Sequence, residues 1–309
     1  MKKVIALLAA LLMILSVTGC GRSYKSNNKD IAVTVGDFEV SYDFLSYFYR
    51  MYKQQGEEYG VTYTHEELMN LAIGGIKEIA ATLDMAEKYS VKVGKEDMEA
   101  IHDYIAEIKD GYDKESEFYD ALKENFMSEQ VMYDIQYYGQ LEADLREILM
   151  KSASVIDTTD KALDKAIEEE FMAAVNILIF KDTEADGLCG KELADSIYTK
   201  IISGGDIYKL AEQYSEDSYC GDRYFAPGTV HEYFEEKVGS MEIGELSEVY
   251  ESEIGYNITK RVAIDKEFVN KYYEELRSEL ALSRYVSIMN ETAKNLRVTF
   301  AEDFDPSLI

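Results

Sequence analysis

Residues 205–222 read GDIYKLAEQYSEDSYCGD. Asp206 stands where a short carboxylate caps a helix, and the apolar spacing behind it carries that helix to Tyr214. Gly204 and Gly205 end a preceding helix over 190–203. After Tyr214 the chemistry turns to loop, from Ser215 to Gly228. Upstream, Val175 to Phe180 (VNILIF) is a short apolar run of strand length. Downstream come a helix near 231–238, a turn at Gly244, and strands at Leu246–Tyr250 and Tyr256–Val262. The order is β-α-α-loop-α-β-β with short strands, which predicts one small compact domain over 173–263.

On either side the pattern is helical. Ile31, Val33 and Val35 alternate, Gly36-Asp37 turns, and Phe38 and Val40 resume, which is a small hairpin. Ser41 is placed to cap a helix over 42–55. Thr64-His65-Glu66-Glu67 has capping-box form and opens a long amphipathic helix through Ala86. Further helices read at 95–110, 115–125 and 128–150, with a helical connector over 159–172. A long helix closes the chain, its stripe running from Val269 through Leu276, Leu280, Tyr285 and Met289 to Leu296, and Val298-Thr299-Phe300 reads as a strand. A lone helix of that length needs a partner surface. The expectation is that 264–309 packs on the helical domain of 31–165, which makes the middle domain an insertion.

The first residues specify an address. Lys2 and Lys3 precede an uncharged, mostly apolar run from Val4 to Val17. A membrane-spanning helix needs about 20 apolar residues, so this run reads as a signal segment over 1–19. Val17-Thr18-Gly19-Cys20 resembles a bacterial lipobox, in which the cysteine thiol takes the lipid and the chain is cut just before it. Cys20 is thus the expected lipidation site, and residues 20–30 the polar tether. Several acyl chains, each contributing about 0.8 kcal/mol per buried methylene, would hold the protein on the membrane.

The formal net charge of −28 excludes nucleic acid as a partner class and disfavours adsorption to anionic lipid. There are 25 Tyr, 12 Phe and no Trp, and core packing accounts for most of them. His65, His102 and His231 lack metal-ligand spacing, so neither a metal nor a cofactor is expected. Beyond Cys20, Cys189 and Cys220 could form one pair or stay as two thiols.

The middle domain resembles a parvulin-type peptidyl-prolyl isomerase. Residues 205–217 resemble that family's G-x-D-F-x-x-L-A-x-x-Y-S-E-D stretch, and Gly221-Asp222 its G-D-L-G-x-F turn. Gly244-Glu245-Leu246-Ser247 and Ile254-Gly255-Tyr256-Asn257-Ile258 resemble its G-E-(I/L)-S and F-G-Y-H-I-I segments. The order of signal, helical domain, parvulin domain and closing helix resembles the PrsA-like foldase lipoproteins. The segments around Ser90-Val91-Lys92-Val93 and Phe118-x-x-Ala121-Leu122 resemble the family's chaperone domain, itself similar to that of SurA-type chaperones. The resemblance implies an α+β protein: a mostly helical chaperone domain completed by the C-terminal helix, with an inserted parvulin-like domain whose small antiparallel sheet is flanked by helices.

Prolyl isomerisation breaks no covalent bond. Rotation must cross a barrier of about 18–20 kcal/mol set by amide resonance. A catalyst needs an apolar cradle for the ring and hydrogen-bond control of the amide. In the family, two histidines face each other near a Cys or Asp. The resemblance puts Asn176 and Asn257 at the histidine positions and Asp217 at the third. It makes Val230 and Phe234 the cradle, with Phe225 and Ile254 as further substrate contacts. Ile254 stands where the family often has a small hydroxyl residue. The loop between Asp217 and Gly221 is about four residues short, and the glycine expected after Asp222-Arg223 is missing. His231 reads as a rim residue.

Two readings follow. In one, Asn amides replace the imidazoles in a working cleft, giving a lipid-anchored extracytoplasmic foldase of the peptidyl-prolyl isomerase family. In the other, the asparagines merely satisfy buried positions and the chain is a non-catalytic holdase with a peptide-binding parvulin domain. A solute-binding lipoprotein, of another class, fits poorly with only two Pro and one long final helix. The expected partners are unfolded or partly folded exported proteins and the membrane, through the lipid on Cys20. A homodimer is left open.

Overall fold

A computed structural model describes residues 30–58 and 61–309. The signal segment, Cys20 and nearly all of the tether lie outside the described residues. Two compact units are present. One holds the described residues up to Leu149 together with Ile288–Ile309, and the other holds Met150–Ser287.

In chain order the first unit opens with β1 (Ile31–Val35) and β2 (Phe38–Ser41), followed by α1 (Tyr42–Glu58), α2 (His65–Tyr89), α3 (Lys95–Asp110), α4 (Glu115–Glu124) and α5 (Glu129–Lys151). The second continues with α6 (Asp160–Glu169), β3 (Met172–Phe180), β4 (Glu184–Ala185), β5 (Leu188–Cys189), α7 (Gly190–Ile202) and α8 (Ile207–Tyr214). Then come β6 (Arg223–Phe225), α9 (Glu232–Gly239), β7 (Tyr250–Glu251), β8 (Gly255–Val262) and α10 (Lys266–Lys271). The long α11 (Tyr273–Asn295) and β9 (Val298–Phe300) return the chain to the first unit. The sequence borders at 165–173 and 263–264 thus differ from the contact breaks, which fall inside α5 and α11.

Local signals placed the helices of the first unit. Ser41 Oγ accepts from the Phe44 N–H, and Thr64 and Glu67 form a reciprocal capping box. The hairpin becomes a three-stranded sheet because β9 pairs antiparallel with β1, Val33 opposite Phe300. Beneath it the aromatic surplus is consumed as core: Phe38, Phe44 and Tyr138 meet edge-on with centroids 5.5–6.1 Å apart.

The second unit is a four-stranded antiparallel sheet in the order β6-β3-β8-β7. Alternation along β3 assigns its two faces. Val175, Ile177 and Ile179 meet Leu193, Ala194 and Ile197 of α7 and Ile207 and Ala211 of α8. Met172, Ala174, Asn176 and Leu178 point the other way. The first half of α11 belongs here: Leu276 and Leu280 pack with Leu163, Ala166, Phe171 and Ala226. A bidentate Arg284–Glu170 pair, both bonds 2.7 Å, adds to the contact.

Two parts of the middle domain differ from expectation. The stretch read as loop contains β6, which is three residues long and therefore below any periodicity signal. The expected strand 246–250 reduces to a bridge, Leu246 opposite Lys260, and the two residues of β7. Cys189 and Cys220 are both free thiols.

Gly255 shows how tightly β3 and β8 are joined. A Cβ there would lie 2.2 Å from the Ile179 carbonyl oxygen. Gly255→Ala is expected to lower the unfolding free energy by about 1–3 kcal/mol through overpacking, read as a lower urea midpoint. An unchanged midpoint would show that the strands part more easily than this.

Candidate functional site: a buried asparagine pair beside an aromatic cradle

The Ser215-Glu216-Asp217 triplet is positioned by the exposed edge of β3. β6 covers that strand only as far as Ala174, which leaves the backbone at Leu178 and Phe180 unpaired on that side. Ser215 Oγ accepts from the Leu178 N–H at 3.1 Å, and the Glu216 N–H donates to the Leu178 carbonyl at 2.8 Å. The Glu216 carboxylate accepts from the Phe180 N–H at 2.7 Å and from the Thr183 hydroxyl. The triplet thus completes the ladder in place of a strand. Asp217 follows directly and turns inward, its side chain 13% exposed.

On the free face of the sheet, Asn176 and Asn257 meet. Asn176 Nδ2 donates to Asn257 Oδ1 at 3.1 Å, and Thr259 Oγ1 donates to Asn176 Oδ1 at 2.7 Å. Asn257 Nδ2 donates to Ser252 Oγ at 3.0 Å, and Ser252 Oγ donates to the Gly255 carbonyl. The Tyr250 hydroxyl lies 2.8 Å from Thr259 Oγ1. Strand pairing explains the geometry, since Asn176 sits opposite Thr259 and Tyr250 opposite Asn257. Asn257 and Thr259 are 0% exposed and Asn176 is 8% exposed. Each amide therefore has its oxygen and its nitrogen engaged by protein groups in a place where unpaired polar atoms would be costly.

No member of this chain changes charge near neutral pH. Amides do not titrate, and burial pushes the Tyr250 phenol up to about 12.

Beside the network lies an apolar cluster. Phe225, Phe234, Val238 and Ala174 form its buried part, and Met172, Val230 and Tyr233 pack against it. The Phe225 and Phe234 rings are 5.5 Å apart. The loop carrying Val230 is held from several sides. The Gly228 N–H donates to Glu235 Oε2 at 2.6 Å, and Ser283 Oγ of α11 donates to the Pro227 carbonyl at 2.6 Å. Glu279, also on α11, bonds the Thr229 side chain and the Ala226 backbone; burial outweighs these bonds and raises its carboxyl above the usual range.

The structure therefore joins Asn176 to Asn257 and Phe225 to Phe234 and Val230. Asp217 is paired with Arg223, whose Nη2 donates to Asp217 Oδ1 at 2.7 Å. Ile254 is half-buried and belongs to neither the network nor the cluster. Sequence reasoning missed Thr259, Ser252, Tyr250 and Arg223. The alternation that puts Thr259 on the face of Asn257 was available in β8, whereas the Arg223 partnership depends on the short β6.

A second feature lies within the helical unit. A groove of about 90 Å³ is lined by Tyr47, Met51, Tyr104, Phe118, Met127 and Met132, among others. Methionine and aromatic linings adapt to varied apolar side chains.

Removing one amide tests whether the network is structural. Asn257→Ala leaves Asn176 Nδ2 and Ser252 Oγ short of a partner, and is expected to cost about 1–3 kcal/mol. Thermal unfolding reads this, and an unshifted transition would mean that the pair contributes nothing.

Comparison with known proteins finds sequence likenesses over the same residues. Residues 143–264 match the family model of the PPIC-type PPIase domain. The chain is 25% identical to the foldase protein PrsA of Caldanaerobacter subterraneus, over 85% of this chain and 84% of that one. It is 23% identical to the PrsA of Oceanobacillus iheyensis, over 70% and 72%. The crystal structure of PrsA from Bacillus subtilis aligns with 91% of this chain and 97% of its own, at 19% identity and a TM-score of 0.30. With the PPIC-type PPIase domain matched over 143–264 and the PrsA likeness running through both units, the chain carries a parvulin-type domain and is similar over most of its length to the PrsA foldases.

Proposed function

We propose that this chain is an extracytoplasmic foldase, held on the membrane by a lipid on Cys20, that assists the folding of exported proteins. The observation that carries this reading is the adjacency, on one sheet face, of the Phe225–Phe234–Val230 cluster and the Asn176–Asn257 network. An apolar cradle takes a proline ring, and a fixed polar wall beside it controls the amide next to that ring. The division of labour runs along the chain: residues 31–165 hold clients through the Met- and aromatic-lined groove, and residues 173–263 act on Xaa-Pro bonds. The relatives named foldase support the same reading.

The mechanism assigned to the cleft is binding rather than proton transfer. Isomerisation requires loss of amide conjugation. A rigid cradle that favours the twisted amide over the planar one lowers the barrier by differential binding. The asparagines act as positioning residues, because both are buried and engaged with each other. Asp217 and Val230, with Phe234 and Phe225, are the groups assigned to the cleft wall, and Ile254 to its rim.

A protease-coupled assay on a proline tetrapeptide tests this. The full mature chain should raise the isomerisation rate above buffer, with a kcat/KM that stays flat between about pH 5.5 and 7.5, about one unit either side of an ordinary imidazole pKa. Phe234→Ala should reduce it several-fold. A rate equal to buffer would remove the isomerase and leave the holding function, which suppression of client aggregation measures separately. The anchor has its own test: Cys20→Ala is expected to shift the protein out of the membrane fraction, and retention there would refute lipidation at this residue.

A further inference from the structure

The sheet face that carries the asparagine pair also carries a cation. In the antiparallel register of β6 on β3, Phe225 lies opposite Met172 and Arg223 opposite Ala174. Directly paired residues project to the same side of a sheet, as do residues two apart on one strand. Met172, Ala174 and Phe225 all belong to the aromatic cluster, so Arg223 starts from that face, and Ala174 precedes Asn176 by two along β3. Asp217 aims the guanidinium: Arg223 Nη2 donates to its Oδ1 at 2.7 Å, and the same oxygen accepts from the Tyr219 N–H at 3.2 Å. The Asp217 N–H in turn donates to Ser215 Oγ at 3.2 Å, the hydroxyl that caps the edge of β3 at Leu178. The place of the charge therefore follows from the strand edge.

A guanidinium offers five N–H donors in one plane. Among the described residues, Asp217 is the one group bonded to the Arg223 side chain, and it engages Nη2, so Nε and Nη1 are without a protein acceptor. The side chain is 28% exposed, which leaves those donors within reach of a bound peptide. The asparagines differ on both counts. Asn257 is 0% and Asn176 8% exposed, and each amide nitrogen already donates inside the network. A substrate amide seated beside the cradle thus meets Arg223 as the donor with capacity left.

The chemistry of the twist says what such a donor does. In a planar amide the nitrogen lone pair is delocalised into the carbonyl and accepts no hydrogen bond. As the bond rotates, conjugation is lost and the lone pair localises on nitrogen, which becomes an acceptor. A donor aimed at that atom bonds the twisted amide and not the planar one, and such differential binding lowers a barrier. The prolyl nitrogen carries no hydrogen to obstruct it. From this placement we infer that Arg223 is a catalytic residue, its guanidinium donating to the prolyl nitrogen as the bond twists, with Asp217 the positioning residue that aims it. No covalent bond is made or broken and no proton changes hands. The inference rests on the proline-cleft reading given above, and it supplies the control of the amide that a closed asparagine pair does not.

Steady-state kinetics of the full mature chain on the proline tetrapeptide test this. Arg223→Met keeps an unbranched stem and removes the donors. It is expected to lower kcat about 10- to 100-fold, as for one charge-assisted hydrogen bond made only in the twisted state, and to leave KM unchanged. Arg223→Lys, which keeps a cation with donors, should restore part of the rate. A merely structural role, neutralising Asp217, is separated by a double variant. If Arg223 served only to pair that carboxylate, Asp217→Asn would make it dispensable, and adding Arg223→Met would cost no further rate. The inference expects a further fall in kcat. The double variant strands no carboxylate, so it also reads the effect should Arg223→Met alone fail to fold. An active wild type whose Arg223→Met protein keeps its kcat would overturn the inference and leave the cleft reading standing, as would a double variant as fast as Asp217→Asn. A wild type with no rate above buffer removes both readings, which tells the two failures apart.

Discussion

The second unit depends on one interaction, the hydrogen bond between Asn176 and Asn257 across β3 and β8. It joins side chains 81 positions apart inside the sheet on which α7, α8 and α9 pack. A buried polar pair of this kind is stable only if all its groups are engaged. Thr259, Ser252 and Tyr250 supply that engagement, and each comes from β7, β8 or the turn between them. The pair therefore constrains three segments at once. The aromatic cradle is built on the same face, so its position relative to the amide wall follows from the register of β3 on β8.

The remaining supports of the cleft are extensions of that register. β3 carries more unpaired backbone than β6 can cover, and the Ser215-Glu216-Asp217 triplet fills the gap with side-chain and backbone bonds. The motif thus serves first as a strand substitute and only then as the carrier of Asp217. On the other side, α11 anchors the loop before α9 through Ser283 and Glu279. Its first half packs on α6 and β6, while its end and β9 complete the sheet of the helical unit. One continuous helix thereby contributes to both units.

Much of this was legible in the sequence, and the rest was hidden for identifiable reasons. Capping signals at Ser41, Thr64 and Asp206 marked helix starts because each is a local contact between a side chain and the next turn. β3 stood out as a short apolar run, Val175 to Phe180, while which of its residues face α7 and α8 did not. Asn176 and Asn257 were found only through a family resemblance, since nothing local pairs two asparagines. Their partner Thr259 was within reach of alternation along β8, two residues from Asn257, whereas Ser252 lies before the strand and follows no period. β6 and β7 were obscured by length: two or three residues cannot show alternation, and their pairing is decided by β3 and β8 rather than by themselves. The shared role of α11 was invisible because a uniform apolar stripe does not say where its partner changes.

The central claim is that the asparagine pair is a closed, non-titrating network that sets the cleft. Side-chain amide hydrogen exchange at Asn176 and Asn257, followed by NMR in the full mature chain, tests it most directly. The account predicts that both Nδ2 groups exchange as slowly as the backbone amides of β3 and β8, with shifts that do not move across neutral pH. Fast exchange, or shifts that follow a titration near neutrality, would contradict it.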